Sequence, residues 1–492
     1  MNKISTIMRR VNYLRGVLSL VSRKPMRSSS MYSRSMRVLA ILFFMFIASQ
    51  FSYAKTRDEK AKSKIPFLTL SDIHFDPFVG CYNRGNACGY IQQLRSAPAS
   101  SWGSILAANE SQPSQYRQDT NYPLLQSALK AAKLQAVRSN AQFVIVLGDF
   151  LAHNYREYYK KYTGDRSSVG YREFVRKTLS FLTMELNRTF PSIDVYPLIG
   201  NNDTYQYDYA STPNGAFFND AAGIWSDLIK NPANRSAFMN SFYRGGYYAV
   251  TISGDAKLKL ILLNSVLFAT NARGKNIDTA ATNELTWLHE ELAVVKSNQQ
   301  MALLAMHIPA GIDVYATLQY RLFRLIELWK RSYVLGYEAN LKQFAPEIAG
   351  IFAGHLHMDW FQVLTLSNAN RVPVSGTPAI SPIYGNNPGF KIYTYSPDSK
   401  EITNFETYYT PIDQQLSWLK EYNYKQIYQP TCRLCSIVTA MNTVKPSSVS
   451  ASYYKHFYAV GVHDQSIEAK WDPYYWCAIR PLAPQQYWTC VA

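Results

Sequence analysis

The sequence contains no apolar run long enough to span a membrane. Its strongest candidate, residues 38–48, falls well short of the ~20 residues a spanning helix needs. Internal repeats and low-complexity tracts are also missing, which argues against a repeat array or a disordered, linker-like chain. Cysteine is scarce, with six in 492 residues, and only Cys432 and Cys435 form a C-x-x-C pair. Without a second such pair, a four-cysteine zinc site is the weaker reading and disulfides are the expected state. Acidic residues are absent from residues 1–54, which carry nine basic ones; taking those nine from the net charge of +17 leaves +8. That remainder suits a soluble basic protein as well as one that meets anionic substrates or lipid surfaces, and no specific nucleic-acid binding is expected.

The N-terminal basic residues have a simpler use. Arg34 and Arg37 precede the apolar run, and Ser52 and Ala54 place small residues at the −3 and −1 positions of a signal-peptidase site. Residues 1–54 therefore read as an export segment cleaved after Ala54, with an uncleaved anchor as the lesser alternative. A periplasmic or secreted destination agrees with the even cysteine count: Cys81 and Cys88 would close a short loop, while Cys432, Cys435, Cys477 and Cys490 leave three pairings open.

Beyond this segment, short apolar runs bounded by polar or glycine residues predict buried strands at 65–70, 143–147, 195–199, 258–263, 302–306 and 348–352. Between them, Val175, Leu179, Leu182 and Leu186, and then Leu285, Leu288, Leu292 and Val295, step by three or four as helix faces do. The alternation predicts an α/β architecture of layered sheets flanked by helices. Residues 55–410 read as the main α/β domain and 411–492 as a cysteine- and aromatic-rich lobe. In that lobe Tyr474, Tyr475 and Trp476 suit either a substrate- or membrane-facing surface or core packing.

Metal-ligand residue types gather where the predicted strands end. Asp72 and His74 follow the first, Gly148-Asp149 the second and Gly200-Asn201-Asn202-Asp203 the third; His307 ends the fifth, and Gly354-His355-Leu356-His357 follows the sixth. On an extended strand exit, residues i and i+2 point the same way, so Asp72 with His74, and His355 with His357, can converge on ions that Asp149 could bridge. Singly, each piece has a bland reading: Asp149 as a helix cap, Gly200–Asp203 as a turn, His307 as a core histidine. As an ordered set they resemble the calcineurin-like metallophosphoesterase superfamily.

Trp102-Gly103, His153 after Gly148–Ala152, the stretch 329–360 and the stretch 381–390 are similar to acid sphingomyelinase-like phosphodiesterases, over residues 65–410. The resemblance implies a four-layer βα-sandwich and two divalent ions, zinc ahead of manganese or iron. It also implies hydrolysis of phosphodiesters of lipid head-group or nucleotide type, through water or hydroxide bridging the metals. Matched by motif, one metal would take Asp72, His74 and His357, and the other Asn201, His307 and His355, with Asp149 shared. Two features depart from the family. The saposin domain of acid sphingomyelinase itself is not found between residue 54 and the first strand, and Asn202 stands where the family motif has a histidine. Asn202 cannot donate a proton as an imidazolium does, so protonation of the leaving group is expected of His153. Some endopolyphosphatases share the G-N-N-D pattern, which keeps phosphoanhydride or monoester cleavage as an alternative. An exported binding protein with a degenerate site is the third reading.

Overall fold

The computed structural model describes residues 64–82, 88–320, 324–366, 371–428, 469–479 and 484–491. The predicted export segment and Cys432 and Cys435 lie outside the described residues. The strands described are β1 (Ile65–Leu70), β2 (Phe143–Val146), β3 (Asp194–Pro197), β4 (Tyr248–Thr251), β5 (Leu258–Leu262), β6 (Met301–Ala305), β7 (Ile348–Ala353), β8 (Phe361–Thr365), β9 (Arg371–Gly376), β10 (Gly389–Ser396), β11 (Glu401–Tyr409) and β12 (Leu419–Asn423). They form two six-stranded sheets, ordered β12-β11-β10-β1-β2-β3 and β4-β5-β6-β7-β9-β8.

All six predicted strands form, as β1, β2, β3, β5, β6 and β7. They run parallel to one another, as β1-β2-β3 in one sheet, with β3 at its edge, and as β5-β6-β7 in the other: Phe67 lies opposite Phe143, Phe143 opposite Asp194, and Leu260 opposite Leu303. Strands in this position are covered on both faces, which is why they read as unbroken apolar runs rather than alternating ones. Between the sheets, Phe67 stacks on Phe143 and Tyr393 at 4.8 and 5.2 Å and meets Phe352 of the other sheet edge-on at 5.2 Å. Outside, the helix Tyr122–Ser139 packs on β1 and β10, and the helix Ile277–Ser297 on β5 and β6. The result is the expected layering, two sheets between helices.

Local signals fix the helix starts. Asn121 caps Tyr122–Ser139 by accepting from the Leu124 amide, with proline in the first turn, and Ser167 caps Ser168–Thr189 through the Gly170 amide. The disulfide Cys81–Cys88 forms as expected, and Cys477 pairs with Cys490, which resolves that part of the tail connectivity. Among the described residues no helix is long and apolar enough to cross a membrane.

One buried carboxyl gives the fold a pH signature. Glu284, fully buried on the packed face of Ile277–Ser297, accepts from the Asn264 amide at 2.7 Å and has no partner for its second oxygen among the described residues. Burial pushes its carboxyl well above the ordinary 4.5, so it is held neutral in the fold. A raised folded-state pKa gives stability that is complete below the unfolded value and fades as pH rises through the folded one. The parent is therefore expected to lose up to about 1.4 kcal/mol per pH unit relative to the isosteric Glu284→Gln as pH rises above that ordinary value. Denaturant titrations at pH 5 and pH 7 measure this, and equal slopes for the two proteins would show that Glu284 ionises in the folded state.

Candidate metal centre

The motif loops leave the C-terminal ends of the parallel strands and meet between the two sheets' ends. Asp72, His74, Asp149, His355 and His357 all have positive φ, between 41° and 71°. The sequence suggested extended strand exits, but these residues occupy the left-handed region, which is costly for non-glycine side chains and clusters at functional sites. Convergence comes from this tight coiling and not from strand alternation. The loops are laced together: the Asp72 amide donates to Gly148 O, the His74 amide to Asp149 O, and the His355 amide to the Asp72 carboxylate.

The motif glycines have a packing reason. A Cβ on Gly200 would lie 2.1 Å from Asp149 Oδ1, and one on Gly354 would lie 2.1 Å from Ser71 Oγ and 2.8 Å from Asp72 Oδ2. Only glycine lets the backbone come so close to the carboxylates.

The structure brings together all seven predicted ligands. Asp149 Oδ2 lies 3.4 Å from His74 Nε2 and 3.2 Å from His307 Nε2. Asp72 Oδ1 lies 3.7 Å from His74 Nε2 and 3.4 Å from His357 Nε2. Asn201 Oδ1 is 3.1 Å from His307 Nε2, and His355, beside His307 at a ring separation of 5.2 Å, faces the Tyr209 hydroxyl. His74 Nδ1 and His307 Nδ1 face the carbonyls of Leu151 and Leu147 at 3.0 and 2.7 Å. That arrangement protonates Nδ1 and turns the Nε2 lone pair inward, as metal-binding imidazoles require.

The charges also fit a cation site. Burial works to raise both carboxyls, yet the surrounding imidazoles, His357 and His307 at Asp72 and His307 and His74 at Asp149, hold them well below the usual range. Burial opposes charge on His74 and His307, but the carboxylates, Asp149 foremost, raise them to about 10 and about 9. Burial, with its neighbours' charge, lowers His355 to about 4, while at His357 burial outweighs Asp72 and lowers it to about 3. Two buried carboxylates thus draw two protons onto imidazoles at neutral pH. His74 Nε2 and His357 Nε2 face each other at 3.2 Å, a separation that needs a proton or a cation between them, and His357 Nδ1 is buried without a partner among the described residues. The residues present suit divalent cations in place of those protons.

His153 stands at the rim, about a quarter exposed, its ring stacked on His74 at 4.1 Å. A ring nitrogen of His153 lies within 4.8 Å of ring nitrogens of His74 and His357. Its partner went unread in the sequence. Asp119, fully buried, accepts from the His153 amide at 2.8 Å, faces its Nδ1 at 3.1 Å and accepts from Ser381 Oγ at 2.7 Å. The only trace of this residue is that it stands two positions before the helix cap Asn121, 34 residues ahead of its partner. Asn202 does not reach toward a substrate: its amide and Nδ2 donate to Asp149 Oδ1 and Oδ2 at 2.8 and 2.9 Å, clamping that carboxylate. Asp203 pins the loop by accepting from the amides of Phe150, Leu151 and Gly200.

Beside His355 opens a cavity of about 440 Å³, walled by aromatic and aliphatic side chains including Tyr209, Trp360 and Tyr384. Among the described residues lining it there is no lysine or arginine; the Asp313 carboxyl there is pushed up by burial and caps the helix Val314–Gln319.

No family model matches the chain. Among curated proteins, the cyclic GMP-AMP phosphodiesterase SMPDL3A of Mus musculus is 25% identical over 460 residues, covering 88% of this chain and 93% of that protein. The sphingomyelinase phosphodiesterase D of Dictyostelium discoideum is 28% identical over 329 residues, covering 64% and 66% of the two. Among solved structures, a dimetal phosphatase from Danio rerio aligns over 72% of this chain and 98% of its own, at 13% identity and a TM-score of 0.41. In its curated relatives and its ordered motif residues the chain is similar to acid sphingomyelinase-like phosphodiesterases.

Proposed function

We propose that the chain is an exported, metal-dependent phosphodiesterase. The observation that carries this reading is the donor set: two buried carboxylates, an amide oxygen and four imidazoles, with Asp149 Oδ2 between His74 and His307. Asp72, His74 and His357 would hold one divalent cation, and Asn201, His307 and His355 a second, with Asp149 common to both. Bound there, the cations supply Lewis-acid stabilisation of the phosphoryl oxygens and activation of water. The imidazole-rich set suits zinc, with manganese and iron as competitors.

The protein's own groups supply the rest. Asn202 fixes the angle of the shared carboxylate, and Asp119 holds His153 by its backbone and by Nδ1, leaving Nε2 at the rim, 3.4 Å from the Tyr384 hydroxyl. From there His153 can give a proton to a departing alkoxide. The cavity beside His355, walled mainly by aromatic and aliphatic side chains, has room for an ester substituent, which favours a diester over polyphosphate. The relatives' names also carry the phosphodiester bond type. Cys81–Cys88 and Cys477–Cys490 support an oxidising compartment.

Phosphoanhydride cleavage is the second reading, because Asn202 removes one proton donor and an anhydride leaving group needs less help. The test is metal analysis of the purified chain, read with rates on a bis-aryl phosphodiester, an aryl monoester and polyphosphate before and after chelation. The expected result is two divalent ions per chain and chelator-sensitive activity, with the diester fastest. Dominant polyphosphate cleavage would overturn the preference, and a chain that neither binds metal nor regains activity with it would be a binding protein on a relic site.

A further inference from the structure

The cavity beside His355 is not built by the motif-bearing core alone. One wall is the helix Asp472–Ala478 near the C-terminus, which contributes Tyr475, Ala478 and, just past its end, Ile479. This helix is held from two sides. On the core side, the Val363 amide donates to Ile479 O at 3.1 Å and Gln362 Nε2 to Ala478 O at 3.3 Å, both from the β8 strand. On the outer side, the helix Pro484–Val491 is tied to it by Cys477–Cys490 and seats a fully buried Tyr487. Cys477 is buried, whereas Cys490 is exposed. A second observation points to a ligand: Gln362, 93% buried and lining the cavity, leaves its Oε1 acceptor without a partner among the described residues, while its Nε2 holds the tail.

We propose that this C-terminal helix is the specificity wall of the enzyme. It closes the cavity around the uncharged, flat substituent of a diester whose phosphorus lies at the metal centre, and Cys477–Cys490 keeps it closed. The inference rests on the phosphodiesterase reading and adds to it where selectivity resides. Tyr475 and Trp360 supply apolar and aromatic contact, and Gln362 Oε1 accepts from a donor on the bound group. Since the proposed metal ligands lie on the loops after β1, β2, β3, β6 and β7, the wall sets affinity for the substituent and leaves the chemical step alone.

The test uses the full mature chain loaded with zinc. Tyr475→Ala is expected to raise KM for bis(p-nitrophenyl) phosphate about tenfold while leaving kcat/KM for methyl p-nitrophenyl phosphate, which lacks the second aryl group, within about twofold. Cys490→Ser, which keeps the buried Cys477 in place, is expected to show the same pattern to a smaller extent. Calorimetric binding of diphenylphosphinate and dimethylphosphinate, neither of which has an ester bond to cleave, gives a readout independent of turnover. Tyr475→Ala weakens the first and not the second if the wall is as described. That result would stand even if no diester were cleaved, and failure of the phosphodiesterase reading would then be visible separately. Equal losses for the aryl and methyl compounds would overturn the proposal, as would unchanged diphenylphosphinate binding in Tyr475→Ala or parent-like behaviour of Cys490→Ser.

Discussion

Asp149→Ala is expected to remove bound metal and activity together, lowering kcat/KM by at least about 10³-fold, equivalent to about 4 kcal/mol of lost transition-state stabilisation. The size of the effect follows from where this carboxylate sits. Its Oδ2 lies 3.4 Å from His74 Nε2 and 3.2 Å from His307 Nε2, so it belongs to both proposed ligand sets. Both its oxygens are also clamped by Asn202, through the amide and through Nδ2. Deleting it leaves Asp72 as the remaining carboxylate of the two ligand sets, with two like-charged cations facing each other across a buried space. The measurement is metal content by mass spectrometry together with rate on an aryl diester. A variant that keeps two ions and full rate would remove the basis for a shared carboxylate. One that keeps a single ion and a residual rate would place Asp149 in one set only.

How far the sequence could be read is shown by particular strands. β1, β2 and β7 were legible because they are buried on both faces, so nothing charged interrupts their apolar runs. β9 was not, because its residues alternate between exposed or half-buried and buried positions and begin with Arg371. β10 also went unread, since it carries Lys391 in its middle; that side chain is buried and made tolerable by Asp359, a partner 32 residues away. The candidate ligand residues were legible as an ordered set at strand ends. What was hidden is the backbone that makes them converge, since nothing in D-x-H or G-H-x-H announces left-handed coiling at Asp72, His74, His355 and His357. Asp119 was hidden for a related reason: its role depends on a contact across 34 residues of chain, and the local sequence shows only a polar residue ahead of a helix. The tail illustrates the same limit, because Tyr475 looks alike in sequence whether it packs a core or walls a cavity, and only the placement of its helix against β8 decides.

Leaving-group chemistry gives the second large effect. His153→Ala is expected to cost about 10²- to 10⁴-fold on a diester with an alkyl leaving group and less than about tenfold on a p-nitrophenyl one, because a proton donor matters most where the departing oxygen is most basic. Asn202, in the position of the family's usual acid, is fully engaged in holding Asp149 and has no proton to give, so the burden falls on the imidazole at the rim. Asp119 prepares that imidazole: it is buried, accepts the His153 amide and faces Nδ1, and Ser381 holds it from the other side. The ring is thereby fixed over His74 with Nε2 at the mouth of the site, beside Tyr384. His153 also lies close enough to His74 and His357 to be imagined as a ligand, and metal analysis of the variant separates the two roles. Retained metal with a leaving-group-dependent loss assigns proton transfer. Retained metal with equal losses on both substrates would make the residue structural, and loss of one ion would make it a ligand.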